Sequence, residues 1–420
     1  MKKIALLFCL LFTIGAFAQE KPKEITTEFY GFVRNEFFID TYKSIDAGHD
    51  NLYLLPLYGG RDANGSDLNE QLSSNFTAFT SRLGVKVAGP EIFKAKTNAL
   101  IEFDFGGILK SEPSLFRILQ ANTTLTWKKS KLLVGQTWHP FWGGSNIPNI
   151  LGLNTGAPFQ AFSRAPQLRY DIFAGKFTLG AAMTYELQYT TKGIESTNYT
   201  TGTQFKRNGV LPELNIMLEF KNKGLTIGGA ALYNRTKPRM TTTGTGGTFK
   251  ADEFIGGKGL MAYVKYVHNK FMFLTKGYYG QNLTHLTMLG GFGVASVDAR
   301  TGAETYTNYT NYTALANAVY GKKWQVGMLV GIGDNLGTDK ALYNDGSNKA
   351  KTYGLLQSVQ GMFRIAPSIS LNVSKIKLMA EYELTTANYG TGTFNFADGL
   401  YADTHKTTNN RLNLMMVYSF

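Results

Sequence analysis

The feature that most constrains this chain is a period of two. Over residues 176–190, Phe177, Leu179, Ala181, Met183, Tyr185, Leu187 and Tyr189 fall on one face, and Lys176, Thr178, Gly180, Ala182, Thr184, Glu186, Gln188 and Thr190 on the other. Successive strand residues point to opposite faces, so this alternation predicts a β-strand with one greasy side and one polar side. The pattern recurs over 211–221, where Leu214, Ile216, Leu218 and Phe220 oppose Glu213, Asn215 and Glu219. It recurs again over 324–332 and 376–384, and at the end of the chain, where Leu412, Leu414, Met416, Tyr418 and Phe420 oppose Arg411, Asn413 and Ser419. Strands of soluble sandwiches commonly run to about five or six residues. Runs of roughly twice that length fit a wall with lipid on one side and water on the other.

The connections alternate as well. Short turns are expected at 89–90, 128–131, 174–175, 222–224, 269–270 and 321–322. Between them lie long segments near 44–72, 140–165, 191–208, 237–256, 284–308, 335–350 and 389–406, rich in Gly, Thr, Asn and Asp. Sixteen strands follow, starting near 27, 74, 95, 114, 131, 166, 176, 209, 224, 257, 271, 309, 323, 351, 375 and 407. An even strand number with every long loop on one side describes an all-β fold, a transmembrane antiparallel β-barrel with short periplasmic turns and long extracellular loops. Closure is a physical requirement, because every backbone N–H and C=O in lipid must be paired within the protein. Tyr and Phe near the strand ends (Phe29, Tyr30, Tyr185, Tyr189, Tyr278, Tyr279, Tyr418) are expected in two interfacial girdles.

Composition removes the competing classes. Charged residues make up 17% of the chain and glycines number 46, which excludes a disordered chain and a coiled coil. No segment after residue 18 reaches the ~20 apolar residues of a spanning helix. Lys2 and Lys3, an apolar run and Ala16-Phe17-Ala18 read as a secretory signal over 1–18, leaving a mature barrel over 19–420. Cys9 is the one cysteine and lies in that signal, so the mature chain has no thiol for a disulfide, a nucleophile or a metal. Loss of Lys2 and Lys3 takes the formal charge from +13 to +11. The expected location is the outer membrane of a Gram-negative bacterium, a compartment that excludes a nucleic-acid role despite the basic charge.

Sixteen strands leave a water-filled lumen, whereas eight would be filled by side chains. Only residues 19–26 precede the first expected strand, so no plug domain is expected. The segment 140–165 is apolar and holds Pro140, Pro148 and Pro158, with Pro166 just beyond. Such a loop either folds inward as a constriction or packs at a subunit interface, since non-helical backbone at membrane depth survives only inside protein or beside a wet cavity.

Anion selection needs fixed cations on the pore wall. Alternation places Arg34 and Arg82 opposite lipid-facing positions, hence in the lumen, and the same rule places Lys86, Arg169, Lys276 and Arg364 there. Arg164 ends the apolar loop, where its guanidinium fork could hold a carboxylate bidentately. The two faces around Arg117 are indistinguishable. Glu36, Asp40, Glu102, Asp104, Asp171, Glu381 and Glu383 are also expected inside, so the cations either line an anion path or serve in structural ion pairs.

Three blocks resemble the DcaP-like family of outer-membrane porins. They are SRLGVKVAGP at 81–90, LLVGQTWHP at 132–140 and NTGAPFQAFSRAPQLR at 154–169. The resemblance is dense over 29–172 and afterwards reduces to strand rhythm. It implies a homotrimer of 16-stranded barrels that passes small anionic solutes such as dicarboxylates. No cofactor and no catalysis are expected. The helical N-terminal extension of some members is missing here. Phe420, two residues after Tyr418, resembles the C-terminal signal read by the barrel-assembly machinery, so that machinery and outer-membrane lipid are the other expected partners.

Rival chemistries are weak. His139 and Ser145 share one loop, but no nucleophile elbow surrounds the serine. Asp334, Asp339 and Asp345 match no calcium-loop spacing, and the glycines at 244–247 lack the strand–turn–helix context of a phosphate cradle. The other class left open is a non-channel barrel that acts through its loops or as a rim hydrolase.

Overall fold

A computed structural model describes residues 25–46, 52–107, 115–191, 194, 203–346 and 349–420. The expected signal segment, 1–18, lies outside the described residues. The wall consists of β1 (Thr26–Asp40), β2 in two pieces (Ser73–Thr77 and Arg82–Ala88), β3 (Lys96–Asp104), β4 (Arg117–Thr126) and β5 (Ser130–Trp138). It continues through β6 (Arg164–Ala174), β7 (Phe177–Thr184), β8 (Glu213–Asn222), β9 (Leu225–Thr236), β10 (Ile255–His268) and β11 (Phe271–Gln281). The last strands are β12 (Glu304–Gly321), β13 (Trp324–Thr338), β14 (Val359–Val373), β15 (Ile376–Asn395) and β16 (Leu400–Ser419).

Each strand pairs antiparallel with its neighbours in sequence, and β16 returns to β1 through Phe32–Ser419 to Asp40–Arg411. The sheet is therefore a closed ring, as lipid demands. Closure is completed at the last residue: the Phe420 N–H donates to the Gly31 carbonyl at 3.1 Å. The Phe420 ring lies over Gly31, where a Cβ would come within 2.9 Å of the ring and 2.3 Å of the Arg82 carbonyl oxygen. Only glycine leaves room for that seam.

Alternation sorts the residues as expected. Leu168, Tyr170, Ile172, Leu179, Ile216, Leu218, Leu412 and Leu414 are exposed on the outer face. Arg34, Glu36, Arg82, Glu102, Arg169, Asp171 and Arg411 lie on the inner one. Adjacent residues separate accordingly: Phe29 and Tyr279 are exposed outside, whereas Tyr30 bonds Glu102 in the lumen and Tyr278 is buried. Tyr30, Tyr278 and Tyr189, which packs on Phe162, are thus not girdle residues.

Boundaries differ in several places: β7, expected over 176–190, ends at Thr184, and β12 starts at Glu304 rather than near 309. Strand β8 starts at Glu213 because a short helix, Thr203–Asn208, precedes it. A separate strand, Thr352–Leu355, pairs with Gly290–Val297 above the wall, so β14 begins at Val359. The segment 389–406 is no open loop: β15 and β16 remain paired out to Asn395 and Leu400.

Candidate functional site

The third extracellular connection, 139–163 (L3), runs inside the barrel. Pro140–Trp142 form a 3-10 turn, capped by the His139 ring, which accepts the Phe141 N–H. Phe141, Leu151, Phe159 and Phe162 are buried. A backbone removed from bulk water must find partners, and inward-facing wall residues supply them. Lys276 donates to the Trp142 carbonyl at 2.7 Å and Tyr278 to the Phe141 carbonyl at 3.0 Å. Glu381 accepts the Leu151 and Gly152 N–H groups at 2.9 and 3.0 Å, while Arg34 donates to the Leu151 carbonyl at 2.6 Å. Asn149 bonds Asn317 and Lys377. Glu381 is five residues above the turn that opens β15, roughly 16 Å along a strand, so L3 reaches well below the rim. Phe159 rests on Gly331, where a Cβ would come within 2.6 Å of the ring.

Two further loops close over L3. Leu52, Leu54 and Leu55 of the first loop pack with Trp142, Phe159 and Phe162, and Leu283, Leu286 and Leu289 of the sixth loop join the same core. Arg364 ties the first loop and L3 to the wall. Its guanidinium donates to the Leu54 carbonyl (2.6 Å), the Ala157 carbonyl (2.9 Å) and Thr385 (2.9 Å), beside Glu383 at 3.3 Å.

The seven cations expected in the lumen all face inward, but they divide into two groups. Arg364, Lys276 and Arg164 are at most 2% exposed. The first two anchor loops, and Arg164 lies 3.7 Å over the Trp138 ring with its main-chain N–H on Gln188. Arg34, Arg82, Arg169 and Lys86 keep contact with water, each on a carboxylate. Arg34 meets Glu36, Arg82 meets Glu102 at 3.3 Å, Arg169 meets Asp171 at 2.8 Å, and Lys86 meets Glu28 at 2.9 Å near the periplasmic turn. Arg117, unassigned from sequence, also faces inward and grips Asp104 at 2.6 and 3.0 Å.

The anchors of L3 lie on β8, on β10 to β15 and at Arg34. The arc from β2 to β6 is the opposite wall, where Leu100, Gln120, Asn122, Arg82, Arg117 and Arg169 retain solvent contact. Four pairs on and beside that arc are lopsided. Side-chain exposure is 14% for Arg34 against 2% for Glu36, 21% for Arg82 against 6% for Glu102, 20% for Arg117 against 1% for Asp104, and 27% for Arg169 against 9% for Asp171. In each of the four the arginine is the more water-exposed partner and the carboxylate the more buried one. At the Lys86–Glu28 pair the acid is the more exposed partner, at 65% against 51%. The asymmetry therefore stops short of the periplasmic mouth.

Known structures share this build. The DcaP outer-membrane channel of Acinetobacter baumannii superposes with a TM-score of 0.65 at 17% identity, covering 97% of this chain and all of that one. The trimer form of OmpT, an outer-membrane protein of Vibrio cholerae, gives 0.55 at 10% identity over 95% of this chain and all of that one. An anion-selective porin from Comamonas acidovorans gives 0.53 at 12% identity over 94% and 100%. No protein-family model matches the chain, and no curated protein matches it by sequence. The fold is that of the outer-membrane porins, barrels that span the outer membrane of Gram-negative bacteria.

Proposed function

We propose that this barrel is a porin for passive diffusion of small hydrophilic solutes, without catalysis, and that it prefers anions. L3 is its constriction, and the solute path runs between L3 and the arc β2 to β6. The observation that carries the anion preference is the lopsided exposure of the Arg34, Arg82, Arg117 and Arg169 pairs. A guanidinium presenting spare N–H groups to a narrow aqueous path suits carboxylates, which it binds through a planar fork. Dicarboxylates are the favoured class, because several forks succeed one another on one wall and because the sequence resembles the DcaP-like porins. Arg164, Lys276 and Arg364 act as framework for the path rather than as its surface. Homotrimer assembly is the expected state, supported by the trimer form among the similar structures. Engagement of Phe420 by the assembly machinery is proposed on the same footing.

The test is solute entry into proteoliposomes. Succinate should enter faster than an uncharged solute of equal size, and Arg82→Gln with Arg169→Gln should remove the difference. Equal entry of both solutes would refute the anion preference, and entry of neither would favour a non-channel barrel.

A further inference from the structure

We propose that His139, Glu213 and His285 form a proton-operated latch that holds the inward loops against the barrel wall, so that the two histidines are positioning residues for the channel. The latch rests on the porin reading for its effect on conduction, though not for its existence. Glu213 opens β8, His139 opens L3, and His285 lies in the 3-10 turn Thr284–Leu286 of the sixth loop. All three are at most 3% exposed. The His139 Nε2 lies 2.6 Å from one Glu213 oxygen and the His285 Nε2 lies 2.7 Å from the other. Asn215 and Thr184 donate to the first oxygen at 3.0 and 3.2 Å. One buried carboxylate thus fastens two loops to one strand.

Two histidines and a glutamate also suggest a metal site, and their ligand atoms lie within 4.8 Å of one another. The His139 ring argues against it. Its Nδ1 accepts the Phe141 N–H at 3.2 Å, so the proton is on Nε2, and the atom facing Glu213 is a donor rather than a lone pair. The adjoining cavity, lined by Ser163, Thr184, Glu186 and Tyr189 among others besides the trio, is about 10 Å³, too small for a solute.

His285 is the titrating member. Its Nε2–H must stay on Glu213, but its buried Nδ1 has no partner among the described residues, so nothing there fixes a second proton. The charged groups facing the ring are Glu213 on β8, Glu186 after β7 and Lys206 on the short helix, with the His139 ring 6.0 Å away. Burial disfavours the charged ring, yet the neighbouring Glu213 carboxylate outweighs burial and raises His285 above the ordinary histidine value. A raised value means that the charged form is the latched form. The stabilisation is complete below the ordinary histidine pKa and is lost as pH rises through the raised one.

The Trp138 and Trp142 rings, stacked at 4.1 Å on either side of His139 in sequence, supply a reporter. Tryptophan emission of the full chain in detergent would be followed from about pH 5 to about pH 9, with closure frequency recorded in bilayers over the same range. The wild type should show an emission step above the ordinary histidine range, with more frequent switching at the alkaline end. The ratio of loosened to latched protein should change about tenfold for each unit by which His285 is raised. His285→Gln keeps a donor but cannot titrate, so its emission should be flat and its switching independent of pH. Glu213→Gln should also abolish the step, with heat-modifiable mobility confirming that the barrel has folded; should it not fold, His285→Gln carries the test. A flat wild-type profile, or a step surviving in His285→Gln, overturns the latch. So does a step that appears only on adding Zn²⁺, which would make the cluster a metal site. Emission needs no conduction, so a step in a non-conducting protein would sink the porin reading alone, and a flat profile in a conducting one would sink the latch alone.

Discussion

Glu381→Gln tests whether wall contacts hold L3 in the lumen. In the native protein the Glu381 carboxylate accepts two main-chain N–H groups, from Leu151 and Gly152. Hydrogen bonds to a charged group contribute about 1.5–3 kcal/mol each, and a neutral amide retains one bond of about 0.5–1.5 kcal/mol. Relief of repulsion from Glu383, two residues along the same face, reduces the loss further. The net cost of seating L3 is then about 1–4 kcal/mol, or about 5- to 700-fold in the ratio of released to seated loop. The barrel ladder is untouched, so heat-modifiable mobility should not change. Release can be read by labelling a cysteine placed at Ile150, since the described residues carry no cysteine of their own. Labelling by a membrane-impermeant maleimide should accelerate about fivefold or more in the Glu381→Gln background, and single-channel conductance should rise with it. Unchanged labelling and unchanged conductance would refute the claim that this carboxylate seats the loop.

Further outcomes follow from the same geometry. Arg82→Gln, Arg117→Gln and Arg169→Gln should each lower the preference for chloride over potassium in reversal-potential measurements, because each removes the cation of its pair and leaves the carboxylate. Lys86→Gln should leave thermal stability within about 1 kcal/mol, since its pair is solvent-exposed and such pairs contribute little. Gly331→Val should displace Phe159 and make conductance heterogeneous in single-channel records, while wall stability changes little. In detergent the native mass should be that of three chains by light scattering; a monodisperse monomer would contradict the trimer.

Alternation carried most of the architecture because lipid and water impose opposite demands on successive residues. The sixteen strands and the inward placement of Arg34, Arg82, Arg169 and Arg364 were legible for that reason. Alternation names a face and not what covers it. Arg364 and Arg82 look alike in sequence, yet one is buried beneath two loops and the other meets water, because loop packing depends on contacts hundreds of residues apart, such as Arg364 with Leu54. Arg117 was illegible for a local reason: the register slips between Glu102 and Phe103, opposite β4, and the bulge breaks its period. The hairpin over 389–406 looked like a loop because its Gly, Thr and Asn carry no greasy face, and a strand standing above the membrane needs none. His139, Glu213 and His285 converge from segments more than 70 residues apart, a proximity that no spacing rule reveals.

The most direct test of the central claim is a reversal-potential measurement on single channels of the purified protein under a KCl gradient. An open channel whose reversal potential favours chloride, and shifts toward zero in Arg82→Gln with Arg169→Gln, is the predicted result. A channel that favours potassium, or a correctly folded barrel with no conductance, would contradict it.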